Sequence, residues 1–540
     1  MLKTELQLLN SFPKGFEPNE AQKYILHEIA VALDSGKKFI ILNAPTATGK
    51  SFISKTIANY SSSASNDFIE SVNDYSVFEK ENDSALKPFG TAILTVTKNL
   101  QEQYAEMFED GAVLKGKSNY PCEINDEVSC EHGNCVFFQR QKKKCLAHNT
   151  CPYYNARSNA VVNKCSFYNY TMFNKLPASV KKKEFIICDE ASELEQELVG
   201  EYTFIVKLSD LIKIDPTMPV SPGIDSNKND YLQWLKSIQS VCESEYNGFI
   251  KSLSKSKRKK LKRQEAERFN LLLQYKETAK LIRETWYETK YIIKHDNGAI
   301  IFQPYNVDNL SNHIFMHGKT IILMSATIVD HQSFANTLGI KDYHYIEAQM
   351  TLEAEKAPIK ILNQFNLNFR NKDQVLPLMC DVVEFICNKH KDQKGIIHTH
   401  SMEILNYIKQ CCKDQSRFLF RQDGMSNEQL LEIHKNTDEP TILVSPSMTH
   451  GVDLKGKLGE FQIIMKAPYL PISDDRVKMK FTYDKVWYNN AMLSTLIQMC
   501  GRCNRLADDY SVTYILDANV LRAIKQNVNK LPVYFLDRFQ

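Results

Sequence analysis

The chain has 540 residues, too many for one hydrophobic core, and 43% hydrophobic with 24% charged residues is typical of a globular protein with several domains. The 67 Lys and Arg residues nearly balance the 64 Asp and Glu residues, and the net charge of +3 neither requires nor excludes nucleic acid as a partner. No apolar stretch approaches the length of a membrane span, so no association with a membrane is expected.

The N-terminus, beginning at Met1, has no signal-peptide pattern, so we expect a soluble intracellular protein. In a reducing compartment, the 14 cysteines are expected to be metal ligands or buried thiols rather than disulfides. Several of them cluster in residues 116–165, where strand signals are few.

The first motif in chain order follows the apolar run Phe39–Leu42 and precedes the helical segment Phe52–Ile57. A strand, a tight loop with Gly-Lys-Ser and a helix form the context of a phosphate-binding P-loop, although Ala44 stands where the first Gly normally does. A chance resemblance of a strand-to-helix turn is the alternative. The predicted nucleotide-binding residues are Ala44, Pro45, Thr46, Ala47, Thr48, Gly49, Lys50 and Ser51, with Lys50 reaching the phosphates and Ser51 binding Mg²⁺.

An acidic pair follows the next clear apolar strand, Phe185–Cys188. We expect Asp189 to hold Mg²⁺ and Glu190 to position and deprotonate the attacking water. The alternative is a helix N-cap followed by a first-turn acid. Between the P-loop and this pair, residues 61–90 are polar and are expected to form an exposed loop or lid.

Residues 193–295 are polar, have a helical period and contain a basic run, Lys255–Arg263, so they predict a helical insertion. Strand signals resume at Ala299–Phe302 and again before Ser325-Ala-Thr327, whose small hydroxyl groups we expect to hydrogen-bond the acidic pair. Residues 355–530 again alternate strand-like and helical segments, as in a parallel α/β sheet. Two similar sheets facing each other across a cleft are therefore expected.

The last motif is Gln498-Met-Cys-Gly-Arg-Cys-Asn-Arg505. At helical spacing, Arg502 and Arg505 share one face with Gln498 and are expected to reach a γ-phosphate across the cleft, as an arginine finger does. Gly501 suggests a close approach of another element. A solvated basic helix face is the alternative.

Taken in order, these segments resemble the motifs of superfamily-two helicases and, within them, the DinG/XPD group of iron–sulfur DNA helicases. The matching segments are Gln22 after Phe16–Ala21 (the adenine-recognising Gln motif), Ala44–Ser51 (motif I), Thr95–Gln103 (motif Ia, which touches the DNA backbone), Asp189–Ser192 (the DEAH box), Ser325–Thr327 (motif III), His398–Ser401 (motif IV), Ser447–Leu454 (motif V) and Gln498–Arg505 (motif VI). The chain departs from the pattern at Ser192, where the box has His, and at His450, where motif V usually has Glu. The resemblance also implies nucleotide contacts for Gln22, Asp453 and Gln498.

The cysteine cluster is the feature that selects this group. Lys115–Cys122 resembles the beginning of the family's cluster domain, and Cys151–Arg157 resembles its end. Because four thiolates hold a [4Fe–4S] cluster, one of the five cysteines in this region is spare. The resemblance favours Cys122, Cys130, Cys135 and Cys151, whereas the competing set replaces Cys130 with Cys145. Tetrahedral Zn²⁺ on the same thiolates is the alternative metal.

The resemblance implies an α/β fold with two RecA-like helicase domains, an inserted iron–sulfur cluster domain and an inserted helical arch domain. The expected ranges are 1–111, 166–192 and 299–335 for helicase domain 1, 112–165 for the cluster domain, 193–298 for the arch and 336–540 for helicase domain 2. Aromatic residues such as Tyr153, Tyr154, Phe137 and Phe138 are expected mostly to pack around the cluster, with base stacking as their other role.

The implied activity is that of an ATP-dependent DNA helicase that uses ATP and Mg²⁺, translocates 5′→3′ on single-stranded DNA and unwinds duplex DNA. The implied partners are single-stranded and forked DNA. A monomer is expected in the cytoplasm of a bacterial or phage-infected cell, or elsewhere inside a cell. Repair, replication and recombination remain open as pathways. Two alternatives are a DNA-stimulated ATPase that remodels protein–DNA complexes or hybrids without processive unwinding, and a binding protein with a degenerate nucleotide site.

Overall fold

A computed structural model of the protein describes residues 2–45, 48–73, 76–79, 87–124, 129–131, 133, 135, 151–255, 263–348, 354–368, 370–448, 454–503 and 509–540. Several predicted residues therefore lie outside the described residues, namely Thr46, Ala47, Phe137, Phe138, Cys145, His450, Asp453 and Arg505. Most of the basic run 255–263 also lies outside them.

The strands of the described residues are β1 (Phe39–Asn43), β2 (Thr91–Thr95), β3 (Ala112–Val113), β4 (Cys165–Asn169), β5 (Lys183–Cys188), β6 (Phe204–Lys207), β7 (Tyr291–Asp296), β8 (Ala299–Pro304), β9 (Gly318–Ser325), β10 (His344–Glu347), β11 (Ile359–Phe365), β12 (Gly395–His398), β13 (Phe418–Phe420), β14 (Ile442–Ser445), β15 (Phe461–Ile464) and β16 (Val512–Asp517).

The α-helices of the same residues are α1 (Lys3–Asn10), α2 (Glu20–Asp34), α3 (Lys50–Tyr60), α4 (Asn66–Asn73), α5 (Lys98–Met107), α6 (Pro152–Val162), α7 (Tyr170–Asn174), α8 (Ala178–Lys181), α9 (Leu194–Glu201), α10 (Leu208–Ile214), α11 (Lys228–Lys255), α12 (Arg263–Thr285), α13 (Asn312–Phe315), α14 (His331–Thr337), α15 (Lys372–Lys389), α16 (Met402–Cys411), α17 (Asn427–Asn436), α18 (Asp475–Tyr483), α19 (Lys485–Cys500), α20 (Ala518–Gln526) and α21 (Val533–Leu536).

The first sheet has the strand order β10-β1-β9-β5-β2-β4-β3, and its neighbouring strands are parallel. Its central strands are continuous apolar runs because helices cover both of its faces, and two hydrophobic cores lie there. Parallel strands bring their carboxyl ends to one edge, so the segments after β1, β5 and β9 meet at that edge. We call the part of the chain built on this sheet domain 1.

The second sheet has the order β11-β16-β15-β12-β14-β13 and is also parallel. Its faces are covered by separate apolar clusters, one of which includes Val383 and Ile463 and another Leu496 and Ile515. The carboxyl ends of β12, β14 and β15 lie side by side. We call this part domain 2, and its presence confirms the predicted α/β class with two parallel sheets.

A third, antiparallel sheet, β6-β8-β7, packs with the long helices α11 and α12 around a core of its own that includes Trp234, Tyr275 and Phe302. We call this unit the arch. Strand β8 lies in this sheet rather than in domain 1, where residues 299–335 were expected. Alternate residues of β8 are buried, which is the pattern of a sheet with one face on a core.

Two other details differ from the sequence expectations. Strand β10 pairs with β1, so the first sheet extends beyond the expected boundary at residue 336. Residues 66–73 form helix α4 rather than an exposed loop, because Phe68 and Val72 lie four residues apart and are both buried against domain 1. The remaining domain limits stay predictions. Within the residues described, no helix is both long and apolar enough to cross a membrane.

Candidate functional site

The P-loop joins β1 to α3, as the sequence predicts. Gly49 has a φ of 77° and immediately precedes Lys50, the first residue of α3. A Cβ added at Gly49 would lie 2.6 Å from Gln22 Nε2, so a larger residue there would displace the Gln22 side chain. Lys50 is buried, and its Nζ donates to the carbonyl oxygen of Ala44 at 3.0 Å. The ammonium group therefore lies over the loop that would cradle phosphates.

Gln22 is buried against this loop. Its Nε2 donates to the Thr48 carbonyl oxygen at 3.1 Å, and its Oε1 accepts a hydrogen bond from the backbone N–H of Asn19 at 3.0 Å. Asn19 Oδ1 in turn accepts from the Gln22 N–H at 2.9 Å, which forms a capping box at the start of α2. The fold therefore holds the Gln22 amide at the rim of the predicted nucleotide site.

The acidic pair lies at the carboxyl end of β5. Burial, and then the charge of Glu190, raise the pKa of Asp189 to about 6, and the nearby Lys50 charge opposes this rise. Strands β1 and β5 flank β9, so the P-loop and the acidic pair lie at one edge of the sheet. Glu190 has a φ of 50°, a left-handed conformation that is uncommon for residues other than glycine and that recurs at functional sites.

Two buried tyrosines also contact Asp189, and sequence analysis missed both. The Tyr104 hydroxyl donates to Asp189 Oδ2 at 2.9 Å, and the Tyr170 hydroxyl donates to the Asp189 carbonyl oxygen at 3.1 Å. Tyr104 lies in α5, directly after the segment that resembles motif Ia, and Tyr170 begins α7. Both rings belong to the buried core, so no pattern of polarity distinguishes them from ordinary packing residues.

The small hydroxyl groups of motif III contact Ser192 instead of the acidic pair. Ser325 Oγ donates to Ser192 Oγ at 2.9 Å, and Thr327 Oγ1 donates to the same oxygen at 3.1 Å. The expectation that they bond Asp189 and Glu190 was wrong because a short 3₁₀ turn, Ala191–Glu193, carries Ser192 to the end of β9. Ser192, the departure from the DEAH pattern, thus makes the link between the box and motif III.

Gln498 reaches domain 1 from the end of α19. Its Nε2 donates to Glu193 Oε1 at 3.2 Å and to Thr327 Oγ1 at 3.3 Å. Its Oε1 is buried and lacks a hydrogen-bond partner among the described residues. The side chain therefore joins the end of α19 in domain 2 to the carboxyl edge of the first sheet through the network of Ser192 and Thr327.

Two expectations for the last motif were wrong. Helix α19 ends at Cys500, so Arg502 lies in the following turn and shares no helical face with Gln498. Gly501 has a φ of −88°, and a Cβ there would approach its neighbours no closer than 3.5 Å, so no close contact requires glycine. The Arg502 charge lowers the pKa of His398 and therefore lies near the end of β12.

A second contact between the domains is a buried charged cluster that we call the Arg476 anchor, formed by Arg476, Trp487 and Glu195. The Arg476 guanidinium hydrogen-bonds Glu195 Oε1, and Trp487 Nε1 donates to Glu195 Oε2 at 2.6 Å. Arg476 Nε also donates to the carbonyl oxygens of Pro304 and Tyr305, each at 3.2 Å. The anchor therefore joins domain 2, helix α9 after the acidic pair, and the end of the arch sheet.

The four predicted cluster ligands lie together and are buried. Cys130 Sγ and Cys151 Sγ are 3.8 Å apart. A Cβ added at Gly133 would lie 3.2 Å from Cys122 Sγ and 3.5 Å from Cys135 Sγ, so Gly133 packs closely against both sulfurs. Cys151 caps the N-terminus of α6, as expected for the last ligand.

The donor set fits a soft metal or an iron–sulfur cluster, because each of its four members is a thiol. Burial and the neighbouring sulfurs raise the pKa of Cys130 to about 12, and the same causes raise the pKa of Cys135. Such thiols ionise together only when a cation offsets their charge. In the described part of the chain, no three Cys, His, Asp or Glu side chains already have metal-binding geometry, so a bound group would require these side chains to rearrange.

Tyr153 and Tyr154, the first residues of α6 after its proline, pack beside the cysteines and are buried. Their rings contact each other edge to face with centroids 5.6 Å apart. The Arg157 guanidinium lies 4.8 Å from the centroid of the Tyr154 ring. These contacts favour packing over base stacking for both tyrosines.

A P-loop and an acidic pair on one parallel sheet, bridged by Gln498 to a second parallel sheet, form a two-domain α/β arrangement. Residues 383–533 match the family model described as the helicase C-terminal domain. No curated protein sequence matches the chain.

Solved structures of XPD helicases share the fold over nearly the whole chain. A structure titled XPD helicase superposes with a TM-score of 0.57 at 15% identity and covers 98% of this chain and 96% of its own. The Xpd4 structure of S. tokodaii gives a TM-score of 0.53 at 15% identity, with 93% and 97% covered. A structure titled XPD apo gives 0.52 at 15% identity, with 98% and 97% covered. The resemblance to XPD-like superfamily-two helicases is therefore confirmed for the fold.

Proposed function

We propose that the chain is an ATP-dependent DNA helicase that translocates 5′→3′ on single-stranded DNA and unwinds duplex DNA. The observation that carries the proposal is the bridge from Gln498 to Glu193 and Thr327, because it links a P-loop sheet to a second parallel sheet at the edge where nucleotide would bind. A motor of this kind needs such a cleft, since closing on ATP and opening after hydrolysis move one domain relative to the other.

In the proposed reaction, ATP binds between the two sheets. Lys50 contacts the phosphates, Gln22 the base, and Glu190 orients and deprotonates the attacking water. Ser51 and Asp189 would hold Mg²⁺, which would neutralise charge on the phosphate oxygens. Arg502 and Arg505 remain the proposed cations from domain 2, and Asp453 remains a proposed nucleotide contact.

Arg502 lies near His398 at the end of β12, and its proposed contact is with the γ-phosphate when the domains close. The proposed partners are single-stranded and forked DNA, bound by a monomer inside the cell.

The proposal also assigns a [4Fe–4S] cluster to Cys122, Cys130, Cys135 and Cys151, which is supported by the convergence of their sulfurs. Such a cluster would crosslink segments that are distant in sequence and stabilise the cluster domain.

Anaerobically purified protein should contain about four iron atoms and acid-labile sulfide per chain. Cys151→Ser should lose iron, whereas Cys411→Ser, at an exposed cysteine of domain 2, should retain it. Zinc without sulfide would overturn this assignment in favour of the tetrahedral site.

Hydrolysis and strand separation would be measured on the same preparation, with duplexes that carry either a 5′ or a 3′ single-stranded tail. Unwinding from the 5′ tail alone, lost in Lys50→Ala, is the expected result. Stimulation of hydrolysis by DNA without opening of either duplex would favour the remodelling ATPase. A cluster-loaded protein that does not hydrolyse ATP would contradict the enzymatic proposal and leave a binding role.

A further inference from the structure

Tyr104 lies among the residues assigned to Mg²⁺, although no motif includes it. Its side chain is 3% exposed, and its hydroxyl donates to Asp189 Oδ2 at 2.9 Å. The phenol oxygen therefore contacts a side chain that the proposed function assigns to the metal.

The hydrogen bonds of Asp189 define the orientation of its carboxylate. Oδ1 accepts a hydrogen bond from the Glu190 N–H at 3.1 Å, and Oδ2 accepts one from Tyr104. A carboxylate held at both oxygens cannot rotate freely, and each oxygen retains a lone pair for a metal ion. Groups that hydrogen-bond a metal ligand orient it, and their loss typically weakens metal binding.

The Tyr104 ring is itself fixed by its surroundings. The ring lies 5.5 Å from the Phe167 ring and 6.2 Å from the Phe108 ring, measured between centroids. Because α5 packs against the first sheet through this aromatic group, the phenol oxygen stays in place when no metal is bound. A residue that only filled space would not need the hydroxyl group, since phenylalanine would make the same ring contacts.

We propose that Tyr104 is a positioning residue that orients the Asp189 carboxylate for Mg²⁺. The proposal rests on the assignment of Asp189 to the metal in the proposed function. The proposed role belongs to the Tyr104 phenol oxygen, whereas the ring contributes packing alone.

Tyr104→Phe tests this directly, and Tyr168→Phe is the matched control. Tyr168 is buried in the same sheet, and its hydroxyl donates to the Ala160 carbonyl oxygen at 3.0 Å, away from the acidic pair. The measurement is the Mn²⁺ concentration that half-saturates binding to the protein with a non-hydrolysable ATP analogue, followed by electron paramagnetic resonance. Thermal unfolding of both variants reports the cost of losing one buried hydrogen bond.

We expect Tyr104→Phe to raise the half-saturating Mn²⁺ concentration about tenfold or more, while Tyr168→Phe leaves it unchanged. Half-saturation within twofold of wild type in folded Tyr104→Phe would overturn the proposal. In an Asp189→Asn background the same change should have no further effect on metal binding, because Tyr104 acts through Asp189. An undiminished tenfold effect in that background would also overturn it. If wild-type protein binds metal and nucleotide but does not hydrolyse ATP, the proposed function fails while this inference still stands.

Discussion

The carboxyl edge of the first sheet and the edge of domain 2 that faces it differ in the pairing of several polar side chains. In domain 1, Lys50, Asp189 and Ser192 all have hydrogen-bond partners within the domain. In domain 2, neither ring nitrogen of His398 has a partner among the described residues, and Gln498 is paired only through its amide nitrogen. The first edge is organised before nucleotide binds, whereas the second depends on what faces it across the cleft. Binding should therefore depend on domain 1, and turnover on domain 2.

The strongest test removes the phosphate contact of domain 1. Lys50→Ala should lower ATP hydrolysis by about a thousandfold, because the group that stabilises charge on the phosphates is lost. Steady-state hydrolysis with DNA present is the measurement. Lys37→Ala is the matched control, since Lys37 forms a surface ion pair with Asp342 at the opposite edge of the sheet. Equal loss in both variants would mean that the P-loop has no special role.

The next largest effect is expected at the Arg476 anchor. Arg476→Ala should lower the free energy of unfolding by about 3 kcal/mol, because it leaves the Glu195 carboxylate partly buried without its cation. Urea denaturation followed by circular dichroism measures this change. Arg268→Ala removes an ion pair with Glu245 in which both side chains are about 40% exposed, and should cost less than about 1 kcal/mol. A similar loss in both variants would contradict the assignment of the anchor as a buried contact.

The unpartnered His398 provides a pH test of the second edge. Burial lowers its pKa from 6.5 to about 4, so the unfolded chain binds a proton between these pH values while the folded chain does not. The free energy of unfolding should therefore fall as the pH drops. His398 alone should lower it by about 2 kcal/mol between pH 7 and pH 5.

Other buried histidines also titrate, so the quantity to compare is the pH dependence of unfolding in wild type and in His398→Gln. The variant should lose less stability than wild type over this interval. Identical pH dependence in the two proteins would show that His398 accepts a proton in the folded state.

The smallest effect is expected when the contact between Gln498 and domain 1 is removed. Gln498→Ala removes the contact with Glu193 and Thr327, and should lower kcat for ATP hydrolysis about tenfold while leaving nucleotide affinity unchanged. Fluorescent-nucleotide binding and steady-state kinetics, measured together, separate the two quantities. A loss of affinity equal to the loss of kcat would place Gln498 with the binding residues of domain 1.

The sequence predicts the polar residues at the carboxyl edge of the first sheet well, because each of them lies next to its strand in the chain. Lys50 and Asp189 each follow an apolar strand directly, and parallel strands bring such positions together. Tyr104 and Arg476 could not be predicted in this way. Tyr104 contacts a residue 85 positions away and Arg476 one 281 positions away, and each lies in an ordinary helical pattern.

The errors at the second edge have a physical origin as well. The helical spacing of Gln498 and Arg502 holds only while the helix continues, and α19 ends at Cys500. Strand β8 was assigned to domain 1 because it reads as an apolar run, whereas it belongs to an antiparallel sheet with one buried face. Short apolar runs do not distinguish these two environments.

The Arg476 anchor has a mechanical consequence. Arg476 holds the carbonyl oxygens at the end of the arch sheet, and Trp487, which shares its Glu195 partner, lies in the first turn of α19. Gln498 lies 11 residues further along the same helix, about 17 Å away at 1.5 Å per residue. Helix α19 therefore connects the Arg476 anchor, which contacts the end of the arch sheet, to the Gln498 contact with domain 1. Under the proposed function, a force on the arch would be transmitted along α19 to the predicted nucleotide site.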